Sequence, residues 1–97
     1  MIYVLKFEHP LGRPGRHSQA QFYLGYCEDD RLADRLAEHA AGYGAAITRA
    51  AVQRGYRLEL VLAIPGDRSE ERRLKNWKNH RRVIQRYARE SVHSTVG

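Results

Sequence analysis

The chain has 97 residues, 42% of them hydrophobic, and a net charge of +6, which suits one compact domain with a modest core. Its single cysteine, Cys27, excludes an internal disulfide and a cysteine-based zinc centre, and its five histidines fall at no zinc-finger spacing. No apolar run approaches the ~20 residues that a membrane span needs, and residues 1–6 lack the basic lead of a secretion signal, so a soluble cytoplasmic protein without a membrane partner is expected.

In chain order, residues 2–7 are β-branched and aromatic and predict a strand. Pro10, Gly12, Pro14 and Gly15 predict a loop over residues 9–19. Residues 21–26 predict a second strand that pairs with the first as a hairpin. Leu32, Ala33, Leu36, Ala37 and Ala40 recur at helical spacing and predict a helix over residues 30–41, stopped by Gly42 and Gly44. Residues 45–54 predict a second helix closed by Gly55. Residues 56–64 alternate and then turn wholly apolar, which predicts a central strand. Past the turn at Pro65, Gly66 and Asp67, a basic helix is expected from near Ser69, capped by Ser69 or Asp67 and burying Leu74 and Trp77. A further helix is expected over residues 82–90, then a frayed tail over 91–97. The order ββααβαα defines an α+β domain over residues 1–90, a three-stranded, mainly antiparallel sheet flanked by helices.

The positive charge is concentrated after Gly66, in Arg68, Arg72, Arg73, Lys75, Lys78, Arg81, Arg82, Arg86 and Arg89. Such a balance points to a polyanionic partner, above all nucleic acid. Five polar residues stand where packing does not ask for them: Tyr3 and Tyr23 in the two strands, Arg35 and His39 four apart on one helix face, and Glu71 at the start of the basic helix. A carboxylate suits a hard cation such as Mg²⁺, a guanidinium matches a phosphate, and a phenol or imidazole can hold or move a proton. Each also has an ordinary explanation: strand tyrosines pack, an Arg and a His four apart form a solvated face, and Glu71 pairs with nearby cations. Trp77 suits base stacking but at its spacing from Leu74 is more often core.

The ordered set resembles the GIY-YIG nuclease superfamily. Met1-Ile2-Tyr3 aligns with the first signature and Tyr23-Leu24-Gly25 with the second. Arg35 to His39 matches the family's Arg-x-x-x-His helix, and Glu71-Arg72-Arg73-Leu74-Lys75 its Glu-x-x-aliphatic-Lys helix. Met1 replaces the first signature's glycine, and Cys27 stands where threonine is common. The resemblance, which runs from residue 1 to about residue 80, implies an endonuclease that hydrolyses DNA phosphodiesters with one Mg²⁺ or Mn²⁺ ion. Tyr3 would be the general base, Tyr23 would contact the scissile phosphate, Arg35 would bind it, His39 would assist Tyr3 and Glu71 would hold the metal. Gly25, Arg72, Lys75, Lys78, Arg81 and Arg82 would contact nucleic acid, with the loop at residues 8–20 a further contact. Sequence specificity would be weak, or would come from a homodimer or a partner protein. The alternative on the same fold is a nucleic-acid-binding module without turnover. The enzyme reading expects both phenols, Arg35 and Glu71 to face one shallow cleft.

Overall fold

The computed structural model describes residues 1–12 and 20–91. Strand β1 spans Ile2–Leu11, β2 Ala20–Tyr26 and β3 Leu58–Ile64; helix α1 spans Leu32–Ala40, α2 Ala46–Gln53, α3 Arg68–Lys75 and α4 His80–Tyr87. Single 3-10 turns over Asp29–Arg31 and Ala88–Glu90 precede α1 and follow α4. The fold is α+β: an antiparallel three-stranded sheet, ordered β2-β1-β3, with four helices among the described residues. No helix of the described residues is long and apolar enough to cross a membrane.

Alternation along β1 divides the core. Ile2 and Val4 point to one face and pack with Leu74 of α3 and Val83 of α4. Tyr3 and Leu5 point to the other and pack against Leu32 and Leu36 of α1, while Phe7 meets Ala51 and Ile47 of α2. Helices thus cover both faces of the sheet, and this is what makes strands apolar on both sides.

That coverage corrects one expectation. β3, whose apolar run predicts a central strand, lies at an edge, and β1 is central. Apolarity on two faces reports cover above and below, not rank in the hydrogen-bond order. The exposed flank of β3 is closed by Ser91, whose Oγ accepts the Ala63 N–H at 3.0 Å. Ser91 is therefore buried rather than part of a frayed tail; residues 92–97 lie outside the described residues.

A bulge explains why β3 alternates and then stops alternating. Val4 pairs with Leu62 but Leu5 pairs with Leu60, so Val61 is one residue too many. Before it, Leu58 and Leu60 face α1 and α2; after it, Leu62 and Ile64 face α3 and α4. One strand thereby supplies both layers.

β1 is longer than the spacing predicts. It continues through His9 and Pro10 to Leu11, which pairs with Ala20 after an irregular stretch from Lys6. Its last pair with β3 is Phe7 with Leu58. Pro10 lies past that point, where its missing N–H removes no bond from the β3 ladder. The expected loop over residues 13–19 lies outside the described residues. Both basic helices begin at side-chain caps: Asp67 accepts the Glu70 N–H at 2.9 Å, and Asn79 accepts the Arg82 N–H at 3.1 Å. Lys78, with φ 52°, turns the chain between α3 and α4.

Candidate active site

β1 and β2 set the two phenols side by side. Tyr3 pairs with Gly25 and Leu5 with Tyr23, so the two tyrosines are diagonal neighbours on the face toward α1. Their ring centroids are 6.2 Å apart. A Cβ added at Gly25 would lie 2.6 Å from both Cζ and Oη of Tyr3 and 2.8 Å from Cε2 of Tyr23. Gly25 is buried beneath both rings, so its part is to make room for Tyr3 rather than to touch nucleic acid.

α1 brings Arg35 and His39 over these rings from one face. The His39 ring centroid lies 5.7 Å from that of Tyr3 and 5.2 Å from that of Tyr23. Tyr3 Oη and His39 Nε2 are 2.7 Å apart. His39 Nδ1 is 2.8 Å from Thr48 Oγ1 on α2, and Thr48 donates to the Ala45 carbonyl at 2.9 Å.

Beside this buried group opens a cleft of about 450 Å³ whose walls include Tyr23, Tyr26, Arg35, Glu38, Arg68 and Glu71. Three of the five expected residues, from β2, α1 and α3, therefore line one cavity. Tyr3 and His39 do not: both are 0% exposed and sit behind it, under Tyr23 and Arg35. This corrects the expectation that both phenols face the cleft. Tyr3 lies near the start of the central strand, flanked by β2 and β3 and covered on its own face by α1, and that position seals it.

Electrostatics follow from the same burial. Burial pushes the Tyr3 phenol up to about 12, with the Arg35 guanidinium opposing the shift and Tyr23 adding to it. Burial, reinforced by Arg35, holds His39 below its ordinary 6.5, so it is neutral at pH 7. Arg35 bonds Glu38 at 2.9 Å and is 30% exposed. Glu38 also takes Arg31 at 3.5 Å. The Cys27 thiol is buried and raised in pKa, chiefly by that burial, and stays protonated and inert.

Glu71 sits in the first turn of α3, with its side chain 16% exposed and its Oε2 3.4 Å from Lys75 Nζ. Among the described residues no three His, Cys, Asp or Glu side chains gather to enclose a metal. A half-buried carboxylate opening on a cleft nevertheless fits Mg²⁺, which takes one or two carboxylates and fills its shell with water and phosphate. Glu71 would hold such an ion, with Lys75 displaced from it.

The cationic residues expected to touch nucleic acid, Arg72, Lys75, Lys78, Arg81 and Arg82, are all exposed. Arg81 lies over the Phe22 ring at 5.2 Å and Arg82 over Trp77 at 5.1 Å. Trp77 is half-buried, packed on the core and stacked with Tyr87. Sequence reasoning missed Arg68 and Tyr26 on the cleft, where the guanidinium lies over the ring at 5.0 Å. It also missed Thr48, which no local pattern distinguishes from any helical threonine.

No protein-family model, curated protein or solved structure matches this chain.

Proposed function

We propose that this chain is a GIY-YIG-type endonuclease, hydrolysing DNA phosphodiesters in the cytoplasm with the help of one Mg²⁺ or Mn²⁺ ion. The observation that carries the reading is the meeting of a carboxylate, a guanidinium and a phenol from three separate elements in one cleft, backed by a sealed phenol–imidazole pair. Glu71 would hold the divalent cation, which would supply positive charge toward the phosphate and the attacking water. Arg35 leaves Glu38 for the scissile phosphate and neutralises the charge that builds there. Tyr23 positions that phosphate from the cleft wall. In this reading, the departure of Arg35 admits one water to the Tyr3 oxygen. Tyr3 accepts the water's proton as it passes its own to His39 Nε2. The exposed cations of α3 and α4 hold the flanking backbone. Sequence specificity is weak or comes from a second copy or a partner chain, because no element among the described residues is shaped to read bases in a groove.

One observation favours the alternative, a DNA-binding module without turnover. Tyr3 is fully sealed and keeps its proton until about pH 12. A plasmid-nicking assay with Mg²⁺ or Mn²⁺, run beside a gel-shift assay, separates the two. The enzyme reading expects cleavage by the wild type, its loss in Glu71→Gln with DNA binding retained, and a fall of ~10²–10³-fold in Arg35→Ala. DNA binding without cleavage by the wild type establishes the alternative, and cleavage that survives Glu71→Gln removes Glu71 from the mechanism.

A further inference from the structure

The buried group behind the cleft has a direction that its distances alone do not give. Thr48 has one hydroxyl proton and spends it on the Ala45 carbonyl at 2.9 Å. Toward His39 Nδ1, 2.8 Å away, Thr48 Oγ1 can therefore only accept. The neutral imidazole then carries its proton on Nδ1 and turns a bare lone pair on Nε2 toward Tyr3 Oη, 2.7 Å away. Tyr3 must donate. On its Nδ1 edge the ring packs closely against the backbone at Gly44, where an added Cβ would lie 2.0 Å from Nδ1. Tyr3, His39 and Thr48 are all 0% exposed, so water does not compete for these bonds.

We infer that Thr48 is a positioning residue of this site, holding His39 in the one tautomer that can receive the Tyr3 proton. The consequence for catalysis rests on the nuclease reading above; the tautomer does not. The step balances within the chain. A water O–H breaks and its proton joins Tyr3 Oη, while the phenolic O–H breaks and its proton joins His39 Nε2. The imidazolium keeps its Nδ1–H on Thr48 Oγ1. The hydroxide oxygen bonds to phosphorus as the phosphorus–oxygen bond to the leaving strand breaks; the Ala45 carbonyl takes no proton onward, so His39 stores one proton and returns it through Tyr3 to the leaving alkoxide. With the opposite tautomer an N–H would face Tyr3, and the phenol would have no acceptor for its proton.

The test is ¹⁵N NMR of histidine-labelled protein, with His39 assigned by the signal missing in His39→Gln. The wild type and Thr48→Ser are expected in the Nδ1–H form. Thr48→Val, nearly equal in shape, abandons the bond and shifts His39 toward the Nε2–H form. An Nε2–H imidazole in the wild type overturns the inference, even where Thr48→Val fails to fold, and so does an unchanged tautomer in a folded Thr48→Val. In the nicking assay Thr48→Val is expected to lower kcat by about 10–100-fold with KM unchanged, and Thr48→Ser to restore it. A wild type that never cleaves sinks the nuclease reading while the NMR result still decides the role of Thr48. Full kcat in a Thr48→Val protein whose tautomer has shifted removes Thr48 from catalysis.

Discussion

Gly44 contributes to this protein by having no side chain. Its backbone lies against the Nδ1 edge of His39, where an added methyl group would overlap the ring. Gly44→Ala is expected to destabilise the fold by about 1–3 kcal/mol, the usual cost of overpacking a filled site, and to displace the His39 ring. Denaturant unfolding measures the first, and the His39 NMR signals the second. Normal stability with unmoved signals would show that the loop between α1 and α2 yields freely. In the sequence, Gly42 and Gly44 both look like helix stops. Gly42 fits that role, with φ 85° just past the end of α1. The task of Gly44 depends on a ring five residues back, and Thr48 depends on the same ring. Neither leaves a local pattern. Tyr3, Tyr23, Arg35, His39 and Glu71 were legible because they occur in an ordered set, although nothing in that order says that two of them are sealed and three line a cavity.

The element that matters most to the cleft is a short helix. α3 has eight residues, too few to persist alone, and it places Glu71 in its first turn. Asp67 caps it, and Glu70 and Glu71 lie at its positive end. Arg73 bonds Glu70 one turn back within α3 at 2.6 Å and ties the helix to the Tyr87 hydroxyl of α4 at 3.2 Å. Asp67→Ala is expected to cost ~1 kcal/mol of stability, seen as a lower urea midpoint. Faster amide exchange confined to the first turn of α3 is expected with it; uniform exchange would mean that the cap holds nothing local. Helix positions were legible here because apolar spacing and caps agree, as at Asp67. The end of β1 was not: Pro10 looks like a breaker, and only the end of β3 beside it makes a proline harmless there. The rank of β3 was also hidden, since hydropathy records what lies above and below a strand and not what lies beside it.

For the molecule as a whole, one buried and one half-buried histidine couple folding to pH. Burial lowers His39, helped by Arg35, and lowers His80, helped by Lys75, both from 6.5. A histidine whose native pKa is depressed below its unfolded 6.5 binds more protons unfolded than folded in the window between the two, so stability is full above 6.5 and is lost as pH falls from there through the native pKa. Urea unfolding between pH 7 and about 5 is expected to show this decline, made shallower by His80→Gln, which cannot titrate. A flat profile would mean that neither ring resists protonation.

The extra residue in β3 has a separate consequence for tracing kinship. Because the bulge at Val61 exchanges the two covered faces halfway along the strand, positions 58 and 60 tolerate change according to one layer and positions 62 and 64 according to the other. A distant cousin lacking that insertion would match this strand over one half only. An ungapped alignment would set its residues of one layer opposite this chain's residues of the other. A single-residue gap at position 61 is the place to look for relatives that unbroken comparison passes over.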